Sequence, residues 1–397
     1  MKISGKSLLT KVPPERLVNL GLLAWSASMI GIAIYRGSLH DYNAYQSHWR
    51  NIHEGNDPWA IGFDSRGEAF GRGSVYGPIH NFLVYFWEFN PLAPKIFMVA
   101  IFLLANALIV RRLIRRGSTY RAYLIYCLVI PLNYLIIGNV ASFGLNDSLV
   151  SALIVFAMLA KLNKRIYLAA LFLTLAILLK YYPAFIFLFF LIDKKKIDLK
   201  LFLATTLMCS IGILATFLIW GKSFLNSFTF GGGRPPKPLS ILWSMGPVRD
   251  EAEKSAILRF LIDYNSVILI LASLTIMYMI YTFNLSWTEG SVIGTLAISL
   301  LYKGASIQYF LPLMVLLTLL IFVKSKNSGL LLRWMMPFVF FISIYAFGYE
   351  ATGGYWTVMT QVRPNIGYLS FTLGLITYIG FFVSAHKRST QNFRKIE

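Results

Sequence analysis

Long apolar blocks alternate with short polar joins along this chain. A helix that crosses a membrane needs about 20 mostly apolar residues. The blocks 17–36, 93–110, 120–138, 199–220, 259–283, 306–323, 334–349 and 365–385 reach that length or come near it. Shorter apolar runs lie at 148–160, 166–179, 183–192 and 290–302. They read as thinned, tilted or broken helices buried against neighbours. The pattern predicts an all-α, polytopic transmembrane helical bundle of about 12 membrane segments. It forms a single integral membrane domain over 1–397. The basic leader MKISGKSLLTKVPPER runs straight into the first block and shows no convincing small-residue cleavage site. That block is expected to be an uncleaved first span.

Three joins are long, at 37–92, 221–258 and 350–364. In the first, Tyr42, Tyr45, Trp49 and Ile52 recur at three- and four-residue spacing. This predicts an amphipathic helix lying in the membrane interface. Gly55-Asn56-Asp57-Pro58-Trp59 ends it as a turn. Gly71 to Pro78 forms a loop, and Pro78 opens a short helix over 79–89. The join 221–258 holds three glycines followed by three prolines at 231–238. It reads either as a lid or as a plain connector.

Composition agrees with the pattern. The chain is 57% hydrophobic and 14% charged, with a mean hydropathy of +0.62. A soluble globule, a coiled coil and a disordered chain are excluded. The net charge of +20 would suggest a nucleic acid partner in a soluble protein. Here the positions of the charges matter more, and no nucleic acid is expected. Basic residues cluster at Lys2–Arg16, Arg111–Arg121, Lys161–Arg165, Lys194–Lys200, Lys324–Arg333 and Lys387–Lys395. Such clusters mark the cytoplasmic side. All of them share that side if 166–192 is a hairpin with its tip at Lys180-Tyr181-Tyr182-Pro183. The alternative, one long span, would put Lys194–Lys196 outside. The join 284–290 is cytoplasmic only by parity. Both termini are then expected in the cytoplasm of a bacterial plasma membrane. Most carboxylates, and His40, His48, His53 and His80, fall on the opposite side.

Several polar residues stand out. Asp41 directly follows the first span, near the start of the interfacial helix, where the helix dipole favours a carboxylate. A simple N-cap is the competing reading. Lys180 interrupts an apolar stretch, where an ionisable residue is functional by default. Snorkelling at a hairpin tip is its competitor. Asp147 is either a second site carboxylate or a cap. Lys303 and Arg363 face the same side and read as site cations or as interfacial anchors. Arg72 and Arg234 are weaker candidates. His48 and His53 are five apart and HExxH is absent, so no metal is expected. Cys127 and Cys209 lie in apolar runs and show no zinc or disulfide framework.

The order of motifs resembles a known family. A carboxylate follows helix 1, then Tyr42-x-x-Tyr45, then Gly55-Asn56-Asp57-Pro58-Trp59. Tyr76-Gly77-Pro78 enters the next helix, and Lys180-Tyr181-Tyr182-Pro183 comes later. The chain looks like a GT-C-class integral membrane glycosyltransferase. It is most similar to glycosyltransferase family 87, the polyprenyl-phosphate-mannose-dependent mannosyltransferases. The likeness covers roughly 17–195. Trp59 stands where the family has Tyr, and Gly77 where it has the first Pro of Tyr-x-Pro-Pro. Gly144-Leu145-Asn146-Asp147 echoes its Gly-Gln-x-Asn.

The resemblance implies a hexosyltransferase with Asp41 as catalytic base. The donor would be a polyprenyl-phosphate-linked sugar, the acceptor a lipid or glycan, and the solvent for both the lipid bilayer. Lys180 would meet the donor phosphate, helped by Arg363 and Lys303. Tyr42, Tyr45, His48, Asp57, Trp59, Tyr76, Asn146, Asp147, Tyr181 and Tyr182 would bind substrate. No cofactor is implied. Inverting transfer needs one base, and a lipid phosphate leaving group needs cationic stabilisation. A polysaccharide polymerase or ligase is the alternative. It would carry Arg and His in a late external loop, and 221–258 has no His. A transporter would show a two-fold repeat and several midplane charges, which are not found here.

Overall fold

The computed structural model describes residues 11–39, 41–60, 62–63, 69–70, 76–228, 236–237, 239–245, 255–322, 327–351 and 357–393. Helices dominate. The strands among the described residues form two small ladders, Gly62–Phe63 with Ala69–Phe70 and Ile192–Asp193 with Lys196–Ile197.

Six helices are long and apolar enough to cross a membrane: Glu15–Arg36, Ala93–Arg115, Leu199–Trp220, Asn265–Thr282, Ser328–Gly348 and Asn365–Ala385. Tyr120–Val129 and Tyr134–Ser142 make a seventh if their 46° bend lies within one span. The bend has a local cause. Pro131 supplies no N–H, and Asn133 accepts from Leu135 N at 3.0 Å to start the second piece. The expected twelve crossings are therefore not reached by length. Asp147–Leu162, Ile166–Leu179, Pro183–Phe190, Trp287–Leu301 and Ile307–Phe322 are shorter. At 1.5 Å per residue, a 14-residue helix covers about 21 Å of a hydrocarbon layer about 30 Å thick. Such segments survive because protein surrounds them. Nearly every side chain of Asp147–Leu162 and Trp287–Leu301 is buried. The outer wall is apolar and exposed instead, as at Leu20, Leu23, Leu207 and Leu218.

The polar contacts sort the joins into two ends. At one end, Tyr120 N donates to Lys11 O at 2.9 Å, and Arg112 to Asn163 Oδ1 at 3.1 Å. Arg116 donates to the Phe322 carbonyl. Lys161 Nζ meets Asp198 at 3.0 Å. Lys194 N donates to Leu285 O at 2.7 Å, and Trp287 N to Asp193 Oδ1 at 3.2 Å. The join at 284–286 thus sits with the Lys194–Lys196 turn.

These contacts also decide the path of 166–192. Asp147 and Lys161 mark opposite ends of one helix. Lys180 and Tyr182 touch Asp147, whereas the Phe190 carbonyl accepts from Lys161 Nζ at 2.6 Å. The chain therefore reverses at 180–182, and 166–190 is a hairpin rather than one span.

At the other end, the expected interfacial helix runs over Asp41–His53. Its face of Tyr42, Tyr45, His48 and Trp49 is buried against protein rather than laid on lipid. The short helices Pro78–Asn81 and Val84–Phe89 follow it. A two-residue bridge stitches this loop to the hairpin tip. Tyr76 pairs with Lys180, and Gly77 N donates to Leu179 O at 2.9 Å. A Cβ on Gly77 would stand 2.1 Å from the Leu178 carbonyl oxygen, so only glycine fits there. Gly77→Ala should therefore lower the melting temperature in detergent, at a cost on the order of 1–3 kcal/mol. Unchanged melting would show that the bridge is dispensable.

Candidate active site

Helix Asp147–Leu162 begins where an irregular segment ends. Ile137–Ser142 is a π-helix, a form that often marks functional positions. Gly144, at φ +64°, then turns the chain, and Leu145 N donates to Asn139 O at 2.9 Å. Asn146 is the N-cap residue, and Asp147 opens the helix. Neither uses its side chain to cap it. The Asp147 carboxylate turns instead to Lys180 Nζ at 2.7 Å, and Tyr182 Oη donates to its other oxygen at 3.0 Å.

This ion pair is shut off from solvent. Asp147 is fully buried and Lys180 is 2% exposed. Lys180 Nζ also lies over aromatic faces, 4.9 Å from the Tyr309 ring centre and 5.9 Å from that of Tyr76. Such contacts are worth about 2 kcal/mol when desolvated. Helix propensity explains part of this arrangement. The backbone opens at Lys180, which is extended (φ −156°, ψ 127°), and Pro183 starts the next helix.

The segment that follows the first helix reaches the pair through Tyr45. Its Oη donates to Asn146 Oδ1 at 3.2 Å. Burial holds the Tyr45 phenol well above its ordinary range, and Tyr76, Asp41 and Asp147 push it the same way. Tyr45 is thus a neutral donor standing between two carboxylates. Around it the rings of Tyr76, His80, Trp49 and His48 pack edge to face or stacked. His48 Nε2 lies 3.0 Å from Asn81 Oδ1.

The other expected residues divide. Asp41 is the first residue of its helix and is exposed. It makes no hydrogen bond or ion pair to the described residues. Tyr42 is buried and donates from Oη to Pro91 O at 2.7 Å. Asp57 accepts from Trp59 N at 3.0 Å, closing a local turn. Trp59 is fully buried, donates to Tyr76 O at 3.1 Å and packs on Trp220. Tyr181 stacks on Phe228, 4.2 Å between centres. Lys303 is not brought to Lys180 by a described contact. Its Nζ donates to Ile262 O at 2.9 Å, and its carbonyl accepts from Lys237 N at 2.8 Å. The side chain of Arg363 lies outside the described residues, as do His40, Arg72, Arg234 and most of 231–238. No cluster of three or more metal-ligating side chains occurs among the described residues.

Two residues escaped the sequence reading. His80 is fully buried, and neither ring nitrogen has a partner among the described residues. Lys95 is fully buried, with Nζ donating to Gly37 O and Ser142 O, both at 2.8 Å. The signal for Lys95 was a lysine at the start of an apolar block, which is also the signature of an anchor.

A polytopic helical bundle with a buried Asp147–Lys180 pair at its loop-rich end has the form of an integral membrane protein. Residues 75–235 match the family model for glycosyltransferase family 87. The match spans 161 of the chain's 397 residues and supports a glycosyltransferase enzyme. No curated protein matches it.

Two outcomes follow from the burial. Lys180→Met would leave Asp147 buried without its cation and should cost about 3–5 kcal/mol. Pairing it with Asp147→Leu should recover much of that loss, as read by thermal unfolding in detergent. Burial, with His48 and Lys180 adding to it, holds the His80 imidazole well below its ordinary 6.5. The unfolded chain then binds more protons below pH 6.5 than the folded one, so stability falls as pH drops through that range. The melting temperature should decline from pH 7 to pH 5, and less steeply in His80→Gln.

Proposed function

We propose that this glycosyltransferase moves a hexose, mannose by the family resemblance, from a polyprenyl-phosphate-sugar to a lipid-linked or glycan acceptor. Asp41 is the general base. One observation carries the reading. Asp41 is an exposed carboxylate with no hydrogen-bond or ion-pair partner among the described residues, one helical turn from Tyr45 and its hydrogen bond to the Asn146–Asp147 turn.

In the reaction, the acceptor oxygen bonds to the anomeric carbon as the carbon–oxygen bond to phosphate breaks. The acceptor proton passes to Asp41, and the configuration inverts. The bonding electrons leave with the polyprenyl phosphate, whose negative charge needs a cation close by. Lys180 fills that role. Its ammonium has three N–H donors, and Asp147 takes one. The Tyr76, Tyr182 and Tyr309 rings hold water away from it. Tyr45 stays protonated and is suited to donate to a sugar hydroxyl. The lysine- and arginine-rich end faces the cytoplasm by the positive-inside rule, so catalysis belongs to the extracytoplasmic face.

Asp41→Asn should cut transfer from a polyprenyl-phosphate-mannose donor about 10²–10⁴-fold with expression and melting unchanged. Product release is followed as free polyprenyl phosphate. Full turnover in Asp41→Asn would rule out the base assignment, and a nucleotide-sugar requirement would rule out the donor.

A further inference from the structure

Lys95 has no part in the chemistry described so far, yet it touches both segments that frame it. It sits near the start of Ala93–Arg115 and is fully buried. Its Nζ donates to the carbonyl of Gly37, at the C-cap of the first helix and four residues before Asp41. The same ammonium donates to the carbonyl of Ser142, the last residue of the π-helix and five before Asp147. Its backbone N–H donates to Tyr42 Oη at 3.2 Å, so the residue beside Asp41 is held as well.

The turn that carries Asn146 and Asp147 is built around this side chain. A Cβ on Gly144 would stand 2.6, 2.7 and 2.9 Å from Lys95 Cγ, Cδ and Cε. The absence of a side chain there lets the turn close over the lysine stem. A buried ammonium is costly unless bonded, and backbone carbonyls fix its position because they cannot rotate away. No interchangeable apolar residue spans both carbonyls.

We propose that Lys95 is a positioning residue that sets the separation between Asp41 and the Asp147–Lys180 pair. It acts through backbone and touches no substrate. The clamp rests on the reading of Asp41 as base. Its loss should displace the base relative to the donor cation and slow the chemical step. Donor binding at Lys180, held by Asp147 and the aromatic rings, should change little.

The full-length chain is purified with Lys95→Met, Lys95→Arg, Asp41→Asn and the Lys95→Met/Asp41→Asn pair. Release of polyprenyl phosphate from polyprenyl-phosphate-mannose gives kcat and donor KM, and thermal unfolding gives stability. Lys95→Met should lower kcat tenfold or more with donor KM within twofold. Lys95→Arg, which keeps the charge and both donors, should recover most of the rate. In the double variant, Lys95→Met should add no further loss to Asp41→Asn. Wild-type kcat in Lys95→Met overturns the clamp. So does a loss in Lys95→Met and Lys95→Arg alike that simply follows their melting temperatures, which marks a structural lysine. Full losses that multiply in the double variant overturn it too, since the two residues would then act separately. Full activity in Asp41→Asn alone refutes the base assignment, and the kcat and KM of Lys95→Met still decide the lysine.

Discussion

A carboxylate and an ammonium 2.7 Å apart inside an apolar bundle set the terms for the loop-rich end of this protein. Neither charge could stay there alone, because removing an ion from water costs several kcal/mol. Each must therefore be delivered to the other with small error. That demand explains the irregular backbone nearby. The π-helix and the positive-φ Gly144 bring Asp147 in. The break at 180–182 brings Lys180 in. Tyr182 takes up a further lone pair, and Tyr309 and Tyr76 shield the ammonium. Pairs of this kind add little net stability, but they restrict which packing is allowed.

The same low dielectric governs the helix lengths. Lipid cannot satisfy an open N–H or C=O, so broken backbone is confined to places covered by protein. The short helix Trp287–Leu301 lies inside, while intact helices such as Leu199–Trp220 face out. Apolar residues on both kinds of helix look alike in one dimension.

That distinction accounts for what could be read from the sequence. The helical class, the existence of an amphipathic helix at Asp41–His53 and the turn at Lys180 follow from local patterning, since periodicity acts over a few residues, whereas the surface that helix packs on does not. The hairpin reading of 166–192 came from charge parity, and the contact between Lys161 and Phe190 agrees with it. The crossing count did not follow, because a block of apolar residues carries no mark of how thick a layer it must cross. Asp147 reads more readily as a cap in the sequence, for its partner lies in another helix. Lys95 and His80 stayed hidden for the same reason. What makes them distinctive is complete burial, a property of the assembled bundle.

The bridge between Tyr76 and Lys180 has a consequence for biogenesis. Its two strands are separated by about a hundred residues of chain, made at about 5–20 residues per second. For roughly 5–20 seconds the first long loop must wait, made but unfinished, until the hairpin tip arrives. During that interval Tyr45, Trp49 and Trp59 lack the burial they have in the finished protein. The loop-rich end is thus assembled only after the middle of the chain has been made.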